Sequence, residues 1–255
     1  MPWNPDLYNQ FKDIRYRPFF DLAELIQHDP SMKVVDLGCG TGEQTALLSA
    51  KFPDARFLGI DSSEEMLEKS KTLENEQLRF KKDSTEEFIT RNETWDLIFS
   101  NAALQWSDNH QQLFPKLLSM LNSRGQIAIQ MPYQPGNILN QLLTEVAAQE
   151  PFRTYLGGWN RPSSVLTIDE YAHLLFENGM EDLNLSLRVY PIIAETPETF
   201  FDFISGSALI PYLERMDSEQ QLQFIIKFKE HIATAFPKFP ALYAFKRLLL
   251  YGRKK

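Results

Sequence analysis

The sequence predicts a doubly wound α/β fold, in which a mostly parallel sheet is covered by helices on both faces. Two observations support this prediction. Short apolar runs alternate with helical segments over residues 31–132, and the first run ends in the glycine-rich loop Gly38-Cys39-Gly40-Thr41-Gly42. Five predicted strands separated by helices in this region imply a parallel sheet, because each crossover helix has to pack back onto it.

The amino-terminal segment precedes this alternation. Apolar residues recur at helical spacing over residues 5–28, from Leu7 and Phe11 to Leu22, and Pro18 interrupts the pattern. We therefore predict one or two helices there, with a break at the proline.

The alternating region is predicted to contain five strands and four helices. The strands cover residues 32–37, 56–61, 78–80, 95–100 and 126–131. The helices cover residues 43–52, a segment from Ser62 or Ser63 to residue 73, and residues 85–89 and 113–121. Serine is a favourable N-cap, and Glu64 and Glu65 suit the first turn of the helix that follows.

The alternation of predicted strands and helices becomes less regular after Pro132. Helices are predicted over residues 137–149 and 168–178, with two or three more within residues 198–235, and a strand over residues 182–190. Gly179 suits a helix C-cap. Residues 241–251 fit a strand or a helix, since so short an apolar run does not distinguish the two.

The charge balance limits the partners to be expected. The chain has 255 residues, of which 26 are basic and 34 acidic, for a formal charge of −8. The basic residues do not cluster, so we expect no nucleic-acid or anionic-membrane partner. No apolar run approaches the roughly 18 residues of a membrane span, and no basic-then-apolar leader is recognised. We expect a protein that is neither exported nor embedded.

Cys39 is the only cysteine. One thiol cannot form an intrachain disulfide or a multi-cysteine metal site. The sequence thus favours a reducing cytoplasmic location and predicts no bound metal.

The glycine loop lies where doubly wound sheets bind ligands, after the first strand and before its helix. Glycines there permit positive φ and close approach, and the free amides of the helix start favour an anion. A dinucleotide fingerprint would need a glycine where Glu43 stands, and no Gly-Lys-Ser or Gly-Lys-Thr of a nucleoside triphosphate loop is present. The alternative is a tight turn without a ligand.

Acidic residues follow the next two predicted strands. Asp61 ends the second strand, where a carboxylate can accept hydrogen bonds from both hydroxyls of a ribose. Asp83 and Ser84 follow the third strand, where a carboxylate suits the amino group of adenine. Each has an alternative interpretation, because Asp and Ser also cap helices.

Asp36-Leu37-Gly38-Cys39-Gly40-Thr41-Gly42 together with Asp61 resembles the signature of class I S-adenosylmethionine-dependent methyltransferases. Further segments are similar to the trans-aconitate 2-methyltransferase family within that class. They are Trp3-Asn4-Pro5-Asp6-Leu7-Tyr8, Arg15-Tyr16-Arg17-Pro18, Gly59-Ile60-Asp61-Ser62-Ser63, Ser100-Asn101-Ala102-Ala103-Leu104-Gln105-Trp106, Leu113-Phe114-Pro115 and Gln130-Met131-Pro132, with Ser205-Gly206 and Pro211-Tyr212-Leu213 further on. Residues 3–132 match closely and residues 133–200 less well.

The resemblance implies a Rossmann-like sheet of seven strands, the last antiparallel, with N-terminal helices and an inserted helical lid. It implies one methyltransferase domain over residues 1–255. Its parts are N-terminal lid helices (1–30), a cofactor-binding core (31–132), helical substrate-cap insertions (133–178 and 197–238) and the last strand (239–255).

The resemblance also implies S-adenosylmethionine as the cofactor and S-adenosylhomocysteine as its product. The predicted cofactor-binding residues are Asp36, Gly38, Cys39, Gly40, Gly42, Asp61, Ser62, Asp83, Ser84 and Asn101.

The family methylates one carboxylate of a small tricarboxylic acid. A carboxylate is already ionised at pH 7, so we expect no acid–base catalytic residue. The histidines, His28, His110, His173 and His231, are interpreted as surface or helix-end residues.

An acceptor with several carboxylates needs local positive charge in a chain of net negative charge. The predicted substrate-positioning residues are Gln105, Trp106, Arg17, Arg161 and Tyr8, with Arg15 and Arg153 as further cations. Arginine meets carboxylates bidentately, although any one of these arginines can instead form a surface ion pair. Trp106 can border the site or belong to the core.

Two alternatives remain. One is an enzyme of the same fold that methylates a carrier-bound acyl chain, as the malonyl-carrier-protein type does, a lipid or a small amine. The other is a non-catalytic nucleotide-binding module. In the preferred hypothesis the partner is a small carboxylic acid, and the protein is a monomer or weak dimer.

Overall fold

Seven strands form one sheet in the computed structural model, which describes residues 12–255. They are β1 (Lys33–Leu37), β2 (Arg56–Asp61), β3 (Leu78–Lys82), β4 (Trp95–Asn101), β5 (Leu121–Pro132), β6 (Met180–Ala194) and β7 (Ala241–Lys254). Their order is β3-β2-β1-β4-β5-β7-β6. The strands β1 to β5 pair in parallel, and β7 is antiparallel to β5. The predicted doubly wound sheet of seven strands is confirmed.

The strand order reverses between β1 and β4. From β1 the chain proceeds outward through β2 and β3, then returns to the other side of β1 for β4 and β5. The crevice of a doubly wound sheet lies at such a switch point, beyond the carboxyl ends of the strands. The segments that follow β1, β2 and β4 are therefore placed to form a site.

Helices connect the strands. They are α1 (Lys12–Ala23), α2 (Glu43–Lys51), α3 (Glu64–Ser70), α4 (Thr85–Phe88), α5 (His110–Ser119), α6 (Ile138–Ala147), α7 (Phe152–Tyr155), α8 (Ile168–Glu177), α9 (Pro197–Ser205), α10 (Ile210–Leu213) and α11 (Ser218–Ala235). Single 3-10 turns follow α3, β4 and β5, at Lys71–Leu73, Leu104–Trp106 and Gln134–Gly136. Two or three helices were predicted within residues 198–235, and the structure has three.

The predicted break at Pro18 is wrong, because α1 runs through this proline. Phe19 and Leu22, which follow it, are almost completely buried. Their burial favours continuation of the helix, whereas an interior proline costs about 3 kcal/mol.

The carboxyl-terminal segment is strand β7, as the resemblance implied, although its periodicity fits a strand or a helix. Its residues 247–253 pair with residues 126–132 of β5. This pairing satisfies the backbone groups of an apolar run that carries no helical or strand periodicity of its own. The partner strand β5 also begins earlier than predicted, at Leu121.

The described residues divide into two compact units. The first comprises residues 12–16, 133–163 and 189–246, and in it α11 packs on α6 and α9 around buried aromatic residues such as Phe200, Phe224 and Phe228. The second comprises residues 17–132, 164–188 and 247–255, and its core is formed by the buried strands β1, β4 and β5. Over residues 12–255, no helix combines the length and apolar character that a membrane crossing needs.

Candidate active site

The glycine loop, residues 38–42, joins β1 to α2 at the carboxyl edge of the sheet. The amides of Gly38 and Cys39 donate to the carbonyl oxygen of Ile60 at 2.8 and 2.9 Å, which fastens the loop to the end of β2. The Gly42 amide donates to the Cys39 carbonyl at 3.0 Å and closes a tight turn. The loop is therefore held at the switch point of the sheet.

Two glycines of this loop serve different purposes. Gly40 and Gly42 have φ of 56° and 76°, a region in which L side chains are strained. A Cβ on Gly42 would lie 2.5 Å from Cζ of Phe80, so packing requires a glycine there. A Cβ on Gly40 would meet no atom within 4 Å in the described chain. The backbone of Gly40 therefore borders open space, where a ligand can approach the loop.

Asp61 is the last residue of β2, and its carboxylate lies beside the loop. One oxygen accepts a hydrogen bond from the Gly40 amide at 2.9 Å, and the other accepts one from the Ser63 amide at 2.8 Å. The side chain is half-buried, and each oxygen keeps a lone pair for another donor. Its contact with ribose hydroxyls stays a prediction, for which the placement is suitable.

The serines after β2 and β3 have capping roles. Ser63 rather than Ser62 caps α3, because its hydroxyl oxygen accepts the Met66 amide at 3.3 Å. Ser84 caps α4 and accepts the Glu87 amide at 3.1 Å. Ser62 is exposed. Cofactor contacts of Ser62 and Ser84 stay predictions.

Asp36 lies on β1 just before the loop and is buried. Its carboxylate accepts a hydrogen bond from the Thr45 hydroxyl at 2.6 Å, which links β1 to α2. Burial raises the pKa of Asp36 from 3.8 to about 7; the Thr45 hydrogen bond opposes the rise and the charge of Asp61 adds to it. Asp36 therefore changes charge near neutral pH.

The Cys39 thiol is a neutral part of the loop. Its partial burial, followed by the negative charges of Asp36 and Asp61, raises the thiol pKa well above its usual range. The thiol therefore remains protonated at neutral pH and does not act as a nucleophile.

Asp83 follows β3, and its amide donates to the Asp61 carbonyl at 3.0 Å. Its carboxylate is buried and forms an ion pair with Arg91. This pair compensates the buried charge. The contact of Asp83 with an adenine amino group stays a prediction. In that contact, the amino group and Arg91 would both bind the Asp83 carboxylate.

Asn101 ends β4 and contacts the first turn of α2. Its Nδ2 donates to Oε1 of Gln44 at 2.7 Å. Its Oδ1 is buried and has no hydrogen-bond partner among residues 12–255. An acceptor buried in this way costs about 1–3 kcal/mol unless a donor satisfies it. Asn101 is thus suited to accept a hydrogen bond from a ligand.

The segment after β4 forms a sharp turn that carries Gln105 and Trp106. It begins at Ala102, whose φ of 57° is unusual for a residue with a side chain. Gln105 is buried; its Nε2 donates to the Ala102 carbonyl at 2.7 Å, while its Oε1 finds no partner in the described part of the chain. The Trp106 side chain is 40% exposed, so it is not a core residue.

His110 supports this turn, a role that the sequence interpretation missed. His110 begins α5 as a helix-end residue, yet it is buried, with Nε2 2.8 Å from the Leu104 carbonyl and Nδ1 beside the Tyr171 hydroxyl. A carbonyl only accepts, so Nε2 carries the proton and Nδ1 accepts from tyrosine. Burial lowers the pKa of His110, which favours this neutral form.

The predicted substrate-positioning residues belong to different parts of the chain. Gln105 and Trp106 lie on the turn after β4, and Arg17 is exposed on α1. Arg161 belongs to the other compact unit, where its amide donates to the Tyr212 hydroxyl at 3.3 Å. Tyr8 and the side chain of Arg15 lie outside the described residues. Arg153 is mostly exposed and pairs with Glu150.

Comparisons with known proteins show the family to which this chain belongs. A family model described as a methyltransferase domain matches residues 28–179. The trans-aconitate 2-methyltransferase of Deinococcus radiodurans is 40% identical over 260 residues, which cover 100% of this chain and 99% of that protein. The enzyme of the same name from Variovorax paradoxus is 30% identical over 259 residues, 100% and 99% of the two chains. The crystal structure of a putative methyltransferase from Bacillus halodurans superposes with a TM-score of 0.59 at 15% identity, covering 92% of this chain and 98% of that one.

Proposed function

Because this chain belongs to the trans-aconitate 2-methyltransferase family of class I S-adenosylmethionine-dependent methyltransferases, we propose that it transfers a methyl group from S-adenosylmethionine to one carboxylate of trans-aconitate. The predicted membership of this class is confirmed. The observation that carries the proposal is the open backbone of Gly40 beside Asp61. Oδ1 of Asn101 supports it, because this buried acceptor has no hydrogen-bond partner among residues 12–255.

The residues at the carboxyl edge fit an adenosyl amino acid. Gly40 leaves space for close approach, Asp61 retains lone pairs for ribose hydroxyls, and Asn101 offers an acceptor for an ammonium group. Asp36 adds negative charge next to the loop when it is ionised. When bound, this cofactor supplies a methyl group on a positively charged sulfonium.

The protein contributes position rather than proton transfer. The nucleophile is a carboxylate and is already ionised at pH 7, so no side chain has to remove a proton. We assign Gln105 and Trp106 to the acceptor side of the site, on a turn that His110 fastens through the Leu104 carbonyl. Neutral His110 and protonated Cys39 serve as structural groups.

The test is incubation with S-adenosylmethionine labelled in its methyl group and a panel of acceptors. The panel contains trans-aconitate, other di- and tricarboxylic acids, a malonyl-loaded carrier protein and small amines. We expect label in trans-aconitate that alkali releases as methanol, because esters hydrolyse and N-methyl groups do not. Transfer only to the carrier protein or to an amine would replace the proposed acceptor, and no transfer to any acceptor would favour a non-catalytic module.

Replacing Trp106 with alanine is expected to lower kcat/KM for the acceptor at least tenfold, about 1.4 kcal/mol. The melting temperature should fall by less than about 4 °C, since the side chain is 40% exposed and carries little of the core. Phe176→Ala is the matched control, because Phe176 is exposed on α8 next to the amino edge of the sheet. Normal activity per folded molecule in Trp106→Ala would contradict the assignment.

The raised pKa of Asp36 predicts pH-dependent cofactor binding. A cationic amino acid group prefers the ionised carboxylate, so affinity should be nearly full about one pH unit above the pKa of about 7 and decrease as Asp36 protonates at lower pH. With a pKa of about 7, the ionised fraction falls about tenfold between pH 8 and pH 6. Calorimetry with S-adenosylhomocysteine should show an affinity up to tenfold lower at pH 6 than at pH 8. In Asp36→Asn the affinity should no longer depend on pH in this range. A wild-type profile that is already flat would exclude Asp36 from this role.

We further propose a cytoplasmic location, a monomer or weak dimer, and no nucleic-acid partner. The single cysteine and the net charge of −8 support these proposals. Sedimentation of the purified protein with and without a duplex DNA tests the last two.

A further inference from the structure

Four polar side chains cross the carboxyl edge of the sheet within the second unit. Asn101 on β4 is in register with Gln130 on β5, and Pro132 on β5 is in register with Arg247 on β7. Registered residues, and residues two apart in a strand, point to the same face. Asn101, Gln130 and Arg247 therefore share one face of the sheet. A hydrogen bond from Asn101 connects them to Gln44 on α2. We call Gln44, Asn101, Gln130 and Arg247 the polar row.

Two hydrogen bonds orient the side chains of the polar row. Nδ2 of Asn101 donates to Oε1 of Gln44 at 2.7 Å, and Nη2 of Arg247 donates to Oε1 of Gln130 at 3.0 Å. A guanidinium only donates, so the Gln130 amide must present its oxygen to Arg247. Its Nε2 therefore points elsewhere.

The polar row offers a buried acceptor and a buried amide donor that no residue of the described chain satisfies. They are Oδ1 of Asn101, an acceptor, and Nε2 of Gln130, a donor, and the Gln130 side chain is 0% exposed. A buried polar group without a partner costs about 1–3 kcal/mol. The Gln130 donor indicates an acceptor on a ligand, at the edge of the sheet where ligands of this fold bind.

The polarity of the row changes along its length. On β4 it offers an acceptor, and on β5 and β7 it offers the Gln130 donor next to the guanidinium of Arg247, which is only 4% exposed. Arginine keeps its charge when buried, and its planar fork matches carboxylates. The β5 and β7 part of the row thus has the chemistry of a carboxylate site, whereas the β4 part suits an ammonium donor.

We propose that Gln130 and Arg247 bind a carboxylate of the methyl acceptor, and that this is a carboxylate that does not react. The reacting carboxylate loses its negative charge as it is methylated, so a cation bound to it would stabilise the ground state more than the transition state. A cation bound to a second carboxylate, which keeps its charge throughout the reaction, holds the acceptor in place and stabilises the ground state and the transition state equally. This inference rests on the proposed function, and it makes Arg247 a determinant of specificity for polycarboxylic acids.

The first experiment compares Arg247→Gln with the wild type. We expect the KM for trans-aconitate to rise at least tenfold, with kcat and the S-adenosylhomocysteine affinity each within threefold. For crotonate, an acid with one carboxylate, KM should change less than threefold. Arg253→Gln is the matched control. Arg253 lies on the same strand and face of β7, at the other end of its pairing with β5, where it binds Asp29. This control should leave both KM values unchanged.

The second experiment is needed if Arg247→Gln does not fold. A lower melting temperature together with a loss of S-adenosylhomocysteine affinity would indicate this. Gln130→Met, an uncharged substitution of similar size, then decides, with an expected rise of at least fivefold in the KM for trans-aconitate. An unchanged KM in the folded variants, or equal losses for trans-aconitate and crotonate, would overturn the inference.

Failure of the inference is distinguishable from failure of the proposed function. Wild-type protein that methylates another polycarboxylic acid but not trans-aconitate would refute the proposed acceptor. The polar row is then tested with that acid, and a selective loss in Arg247→Gln would support the carboxylate site. Normal turnover of trans-aconitate by a folded Arg247→Gln variant would refute the carboxylate site alone.

Discussion

Replacing Asp61 with alanine is expected to weaken S-adenosylhomocysteine binding at least tenfold, about 1.4 kcal/mol. The variant loses the acceptors of the Gly40 and Ser63 amides, and with them the carboxylate that we assign to the ribose hydroxyls. Both losses act on the cofactor side of the site. Isothermal calorimetry on the purified variant measures the change.

A cofactor analogue separates the two causes. Wild-type protein should bind S-adenosylhomocysteine more tightly than its 2′,3′-dideoxy analogue, whereas Asp61→Ala should no longer distinguish them. Asp54→Ala is the matched control, since Asp54 lies just before the opposite end of β2 and binds His28. If the wild type binds both compounds equally, Asp61 positions the loop and does not contact the sugar.

Gly40→Ala is expected to reduce cofactor affinity at least tenfold while the protein stays folded. The new methyl group would occupy the open space beside the loop, and the φ of 56° adds strain of about 1–2 kcal/mol. Gly157→Ala is a close control, because Gly157 has a φ of 59° and a Cβ there also meets nothing within 4 Å of the described chain. It should show the same thermal destabilisation and unchanged affinity.

Gly42→Ala should give the opposite result. Its methyl group would lie 2.5 Å from the Phe80 ring, so strain and overpacking together should lower the free energy of unfolding by about 2–4 kcal/mol. The folded fraction should bind the cofactor almost normally. Equal effects of Gly40→Ala and Gly42→Ala on affinity would remove the distinction between a ligand-facing and a packing glycine.

The placement of the glycine loop, Asp61 and Asn101 at one edge of the sheet was predictable from sequence. The glycine loop follows a strand, Asp61 and Asn101 each end one, and the carboxyl ends of parallel strands meet at one edge. Sequence order alone therefore brings them together once the alternation of strands and helices is recognised. The capping roles of Ser63 and Ser84 follow from the same local chemistry.

The residues that act through distant contacts were not predictable. His110 meets Tyr171, 61 positions away, and Arg247 meets Gln130, 117 positions away. The spacing of residues along the sequence gives no signal for contacts between positions so far apart. A periodic signal from β7 would have identified Arg247 as a residue of the carboxyl edge, but its apolar run fits a strand or a helix equally.

The amino-acid sequence by itself determined the doubly wound sheet, the position of the glycine loop and the acidic residue beside it. These depend on periodicity and on backbone conformation, which are properties of neighbouring residues. Only the tertiary structure decided that Pro18 stays within a helix, that residues 247–253 pair with residues 126–132, and that a buried arginine joins the carboxyl edge. Each of these is decided by burial and pairing with residues far away in the chain, and such free energies exceed local preferences.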